Sequence, residues 1–389
     1  MLVASGCSGR PPGIEEPRTF PSTTSASLPA VDMPVGGGVV VVPGDSLQGV
    51  VDAYGSGTTF VLRAGVYRGQ EVHPKVGDVF VGESGAVLDG GGEARWAFSG
   101  GVADVTIRGL VIQNYATPAR EGVINWVAGA EDWVVEGNEV RDNAEIGIRA
   151  STGWRVAGNY VHDNGRYGIT GGGSGLVVEG NEIAHNAVVY GATGDSSGTK
   201  FAQTVGLVLR NNYVHDNFGN GLWVDINNQD ALIEGNRSVG NTRNGIFIEI
   251  SCGGVIRNNG VEENGFDGST QNWLVRSGIL VSDSPDVQVY GNTVVNNANG
   301  IGLEQWDHGN RDAVTRCVPA LKNVKVHDNT VVQKVGGASG LDANIDRDKV
   351  WTSWGNQFYN NSYTLSDGVK FRWQSDWVSY QQWKDFGQN

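Results

Sequence analysis

Gly137-Asn138-Glu139-Val140-Arg141-Asp142-Asn143 returns as Gly158-Asn159-Tyr160-Val161-His162-Asp163-Asn164. It returns again as Gly180-Asn181-Glu182-Ile183-Ala184-His185-Asn186 and as Asn211-Asn212-Tyr213-Val214-His215-Asp216-Asn217. Looser copies centre on Asn236, Asn259, Asn292, Asn329 and Asn356. Successive spacings from Asn138 are 21, 22, 31, 24, 23, 33, 37 and 27 residues, so the unit is about 22 residues and the longer intervals carry insertions. A second phrase, glycine followed by alternating apolar residues, accompanies the first at Gly147-Ile148, Gly168-Ile169, Gly221-Leu222, Gly245-Ile246, Gly278-Ile279 and Gly300-Ile301. Two or three short alternating strands per period predict stacked coils of parallel strands. A leucine-rich horseshoe has a similar period, but it demands a dense Leu signature that this chain lacks. The recurring Asn has a sufficient structural role, since its amide, stacked coil on coil, can bond turn backbone and its neighbours in a ladder.

These phrases resemble the right-handed parallel β-helix repeat superfamily, the shape of pectate lyases and polygalacturonases, over roughly residues 40–360. The resemblance implies an all-β, single-stranded right-handed parallel β-helix and leaves the reaction open, because the scaffold hosts many chemistries. Residues 1–37 read as a lipoprotein-like start and flexible linker, 38–360 as the β-helix, and 361–389 as a C-terminal cap. A solenoid needs caps because its end coils expose an apolar face. At the front, Gly44-Asp45-Ser46 precedes an amphipathic stretch, Leu47–Ala53, that predicts a capped helix. At the back lie Trp351, Trp354, Trp373, Trp377 and Trp383, five of the twelve Trp, read as a plug in preference to a sugar platform.

Composition narrows the field. Of 389 residues, 59 are Gly, about twice the usual share, and 39% are apolar, enough for a core. A formal charge of −14 without a basic cluster argues against nucleic acid as a partner. No run of eighteen apolar residues is present to span a membrane. Met1-Leu2-Val3-Ala4-Ser5-Gly6-Cys7 resembles the end of a bacterial lipoprotein signal, with Cys7 as the lipid-bearing residue, and the Gly, Pro, Ser and Thr of 8–37 suit a tether. The expectation is an extracytoplasmic, secreted or cell-surface monomer. In that compartment the two remaining cysteines, Cys252 and Cys317, are expected to pair, the second reached through a loop that folds back over the first.

Strand parity places the candidate site. In Gly221-Leu222-Trp223-Val224-Asp225, Leu222 and Val224 face inward, so Trp223 and Asp225 face outward. The same parity turns Phe247 and Glu249 out, then Ser282 and Glu304 in later coils. Gly198-Thr199-Lys200-Phe201 puts Lys200 level with Trp223, with Thr170 and Arg149 in the coils before it. Carboxylates about 4.8 Å apart on adjacent coils are costly unless function, a cation or a shared proton supports them. Insertions near 187–199, 265–277 and 305–320 flank this column, and Trp223 and Phe247 are expected to stand exposed beside the acids.

Three functions fit. A glycoside hydrolase acting on a polysaccharide would use carboxylates from Asp225, Glu249 and Glu304 as acid, base or nucleophile, without a cofactor. Glu249 and Glu304, two coils apart at about 9.6 Å, lie near the upper end of inverting spacing, and Asp225 with Glu249 would form the closer pair. A polysaccharide lyase or uronate epimerase would use Lys200 as base, with Asp225 and Glu249 holding Ca²⁺ and Arg149 as the nearest arginine. A non-catalytic glycan binder or adhesin needs only the groove, with Trp223, Phe247, Arg149 and His308 touching sugar. The hydrolase leads on charge, since an acidic groove suits a neutral glycan. His162, His185 and His215 fall on the repeat's own turn and read as structural, which leaves His308, beside Trp306 and Asp307, as the histidine of interest.

Overall fold

The computed structural model describes residues 37–191, 195–266, 276–307 and 316–388. Cys7 and His308 therefore lie outside the described residues, as do the central parts of all three insertions. Three sheets run along the solenoid, of 13, 12 and 12 strands, and each coil after the first contributes one strand to each. The first sheet begins at Val39–Val41, the second at Gly65–Arg68 and the third at Phe98–Gly100. The chain is a right-handed parallel β-helix, as the repeat predicted.

The heptad-long phrase is one side of a coil with both its corners. Its leading glycine takes a left-handed φ of 62° at Gly137, 61° at Gly158 and 61° at Gly180, where a Cβ would be strained. The ladder Asn follows, then a three-residue strand of the second sheet, then a second left-handed corner at Asp142, Asp163, His185 or Asp216 (φ 52–55°). Only the middle residue of each short strand points inward, so Val140, Val161, Ile183 and Val214 stack on one another, fully buried. Each such side chain contributes roughly 1.5–3 kcal/mol of burial.

The asparagines form two internal ladders. One runs Asn138, Asn159, Asn181, Asn212, Asn236, Asn259, Asn292, Asn329, Asn361, each amide Nδ2 donating to the next Oδ1 at 2.9–3.0 Å. The other links Asn143, Asn164, Asn186, Asn217, Asn241, Asn264 and Asn297, with bonds of 2.9–3.1 Å. The sequence placed Asn356 in the first ladder, and the structure corrects this. Asn329 bonds Asn361 instead, while Asn356 accepts from the Val324 N–H (3.1 Å) and donates to the Leu321 carbonyl (2.7 Å), tying down the segment that carries α2 (Arg347–Thr352).

The ends are closed as a solenoid requires. In α1 (Leu47–Ala53), Ser46 Oγ accepts from the Gly49 N–H, and Leu47 and Val51 bury onto the first coil. Coil pairing continues past residue 360, because Ser362–Leu365 pairs with Thr330–Gln333 and Lys370–Trp373 pairs with Gly337–Ala343. The closing elements proper are the antiparallel strand Asp376–Val378 and α3 (Tyr380–Asp385). Trp383 is fully buried against Phe358, Phe371 and Trp373, whereas Trp377 keeps 42% of its surface. Trp383 plugs the last coil.

Candidate active site

The third sheet carries the outward acids. Its register aligns Asp225 with Glu249, Glu249 with Ser282, Ser282 with Glu304, and Glu304 with Asp342. Two register positions earlier, on the preceding strands of the same sheet, Asn125, Arg149, Thr170 and Lys200 stack in a second outward column. Phe201 pairs with Val224, which brings Lys200 level with Trp223. The alternating strand puts Leu222 and Val224 in the core and leaves Trp223, Phe247 and Leu280 as a separate apolar cluster on the outer face.

That cluster corrects one expectation. Trp223 and Phe247 point outward but retain only 5% and 7% of their surface. The two rings stack at 5.9 Å, Lys200 Nζ sits 3.8 Å from the Trp223 ring centre, and Trp223 Nε1 donates to Glu249 at 3.3 Å. They form a floor that desolvates the acids, and they are no open stacking platform. Arg149 does not reach Lys200's group; it lies over Trp126 at 5.0 Å, with Thr170 between the two cations.

The like-charge problem is solved by a cation and a shared proton. Lys200 Nζ lies 3.0 Å from Asp225 Oδ2 and 3.2 Å from Asp195 Oδ1. Asp225 and Glu249 hydrogen-bond to each other. Burial, then the neighbouring Asp225 charge, pushes the Glu249 carboxyl up to about 8. Burial raises Asp225 as well, against the pull of Lys200. The two carboxyls thus titrate as a pair that holds one proton at neutral pH.

Two groups escaped the sequence reading. Asp195, in the insertion before Lys200, accepts from Tyr167 Oη (2.5 Å), Arg120 (3.0 Å), Arg166 and Lys200. Burial opposes its ionisation, but Tyr167, Lys200 and Arg166 overcome this and lower its pKa. Arg166 also meets Glu145, to which Tyr190 donates. An acid close ahead of Lys200 was the available signal, but nothing local to the repeat says where an insertion lands. Asp342 extends the acid column, and its charge is matched by Arg372 at 2.9 Å. Its strand, Gly337–Ala343, carries Ala338-Ser339 at the register of Gly300-Ile301, so the phrase that located the others is missing at that position.

A strap closes the far side. Cys252, three residues after Glu249, is joined to Cys317, with Cα atoms 5.6 Å apart, and Arg316 N–H donates to Asn227 Oδ1 at 2.8 Å. Cys317 is buried where it meets Cys252, two coils back from the strand of Glu304. Ile226 and Ile250, each directly after one of the paired acids, take left-handed φ values of 59° and 46°. For β-branched residues that is costly backbone, of the kind that collects at functional sites.

The family profile described as "Right handed beta helix region" matches residues 121–274. No curated protein matches the sequence. Among solved structures, the chain is similar to the A-module of Azotobacter vinelandii mannuronan C-5 epimerase AlgE4, at 17% identity and TM-score 0.60 over 84% of this chain and 92% of that one. It is also similar to the A-module of the A. vinelandii epimerase AlgE6 (16% identity, TM-score 0.52, 86% and 94% covered). A third match is XylC in complex with xylose (12% identity, TM-score 0.60, 84% and 80% covered). At these identities the likeness is one of fold.

Proposed function

We propose that the outer face of the third sheet moves a proton on a uronic-acid polysaccharide, as a C-5 epimerase or a lyase does. The observation that carries this reading is the Asp225–Glu249 carboxyl pair, in register on adjacent strands, with the Lys200 ammonium 3.0 Å from Asp225. Removing the proton at C-5 of a uronate needs the neighbouring carboxylate's charge countered, a base to take the proton and an acid to return one. Lys200 counters the charge, Asp225 accepts, and Glu249 donates. Loss of the 4-oxygen substituent leaves an unsaturated end; inversion at C-5 also requires the ring to turn over between the two transfers, because the paired acids stand side by side. The two epimerase modules that share the fold act, by name, on a polyuronate.

A hydrolase is served less well. Its two carboxyls stand about 5–9.5 Å apart across the scissile bond, whereas Asp225 and Glu249 bond directly to each other. Lys200 faces two carboxylates, so we assign it to the substrate's carboxylate and not to proton abstraction. The same contact leaves Asp225 and Glu249 short of the six to eight oxygens that Ca²⁺ takes, and the reaction is proposed to be calcium-independent. The Cys252–Cys317 bond suits an extracytoplasmic enzyme.

The test is a panel of uronic and neutral polysaccharides, with and without a chelator, followed by NMR of C-5 configuration and absorbance of unsaturated ends. Uronate turnover that survives chelation and falls at least about 10²-fold in Glu249→Gln is expected. Reducing ends released from a neutral polymer would establish the hydrolase instead, and no product from any polymer would leave a glycan binder.

A further inference from the structure

The repeat contains one departure that the uronate site does not use. Two coils end their second-sheet strand in a His-Asp pair, His162-Asp163 and His215-Asp216, and the coil between them reads Ala184-His185. Its histidine has moved one residue on, into the left-handed corner that Asp163 and Asp216 occupy in their coils (φ 53°, 53° and 52°). The vacated position is filled by Ala184, directly in register with His215. A small side chain there leaves room beside the His215 ring, and the two imidazoles meet edge to face at 5.8 Å.

We propose that His185, His215 and Asp216 form a site for a first-row transition ion such as Zn²⁺, Ni²⁺ or Cu²⁺. One ligand atom from each lies within 4.8 Å of the others, and small side-chain rotations bring nitrogens and oxygen to the ~2.0–2.2 Å bonds such ions need. Two imidazoles and a carboxylate suit borderline ions and do not suit Ca²⁺ or Mg²⁺, which demand oxygen. The carboxylate of Glu182, 3.3 Å from His215 Nε2, orients the ring from the preceding coil, as outer partners of metal-bound histidines do. His185 directly precedes the buried ladder residue Asn186, where the chain leaves for the insertion that carries Asp195. An ion here would staple two coils together at the root of that insertion.

The fold supplies its own control. His327 pairs with Asp328 at 2.6 Å in the same way but is sandwiched between Tyr290 and Tyr359, with no second imidazole beside it among the described residues. Calorimetric titration of the metal-free full chain with ZnCl₂, NiCl₂ and CuCl₂ decides the matter. One ion per chain is expected, with affinity at least about tenfold weaker in His185→Gln and in Asp216→Asn, and unchanged in His327→Gln. Circular dichroism melts confirm that each variant is folded, and the wild-type melt is expected to rise on metal addition. Absence of binding, or binding that survives His185→Gln, overturns the site. Neither result bears on the uronate reading, which uses none of these residues.

Discussion

Replacing Asn236 with alanine tests the ladder that sets the coil spacing. The side chain is fully buried; Nδ2 donates to the Leu209 carbonyl at 2.9 Å and to Asn259 Oδ1 at 3.0 Å. Its Oδ1 accepts from the backbone N–H and the Nδ2 of Asn212, both at 3.0 Å. Alanine deletes four bonds and strands the Asn212 N–H in a dry interior. At about 1 kcal/mol per bond and 1–3 kcal/mol for an unsatisfied buried group, with water entering to offset part, the loss is about 3–5 kcal/mol. Asn236→Asp should do no better, since it sets an acceptor against the Leu209 carbonyl and Asn259 Oδ1. The control is Asn258→Ala, an exposed left-handed corner (φ 56°), expected to cost about 1 kcal/mol through backbone strain alone. Urea unfolding followed by both tryptophan fluorescence and circular dichroism reads the difference, two probes being needed because solenoids unfold by parts. If Asn236→Ala costs no more than Asn258→Ala, the ladder is not what holds the coils.

Other expectations concern the site and its strap. Reducing or removing Cys252–Cys317 opens a 65-residue loop worth about 4 kcal/mol in the chain-entropy account, and denatured, unreduced protein should titrate no free thiol from this pair. Two free thiols there would refute the bond. Ile226→Asn, at a left-handed position 39% exposed, should raise stability by about 1 kcal/mol; a loss would show that the isoleucine's contacts outweigh its strain. Glu249 has its pKa raised in the folded protein, from 4.5 to about 8, so its stabilising contribution is full below pH about 4.5 and is lost as pH rises to about 8. Glu249→Gln should therefore flatten the stability–pH curve over that window, and an unchanged slope would mean that the carboxyl is not held protonated.

The sequence disclosed the fold because each coil repeats one set of obligations: a left-handed corner, a buried amide and an inward apolar residue. Those obligations put Gly137, Asn138 and Val140 at fixed offsets, and period and parity could be read from them. Parity likewise placed Asp225, Glu249, Glu304 and Lys200 on one face. It could not tell that Trp223 would be covered, because parity gives a side chain's direction and not how closely Lys200 and Phe247 of the adjacent strands close over it. Asp195 stayed hidden for the same reason: its contacts with Arg120 and Arg166 span 75 and 29 residues across an irregular segment. The slip from Asn361 to Asn356 occurred where α2 interrupts the last coils and a second Asn stands five residues early.

The most direct test of the proposed chemistry is solvent deuterium uptake at C-5 of a polyuronate turned over in D₂O. Epimerisation through Asp225 and Glu249 predicts deuterium at C-5 of inverted residues. Elimination predicts unsaturated ends, with deuterium at C-5 of the residues left intact wherever the abstracted proton returns. Both signals should fall at least about 10²-fold in Glu249→Gln. Product that retains protium at every C-5, carries no unsaturated end and shows only new reducing ends would contradict proton transfer at this face.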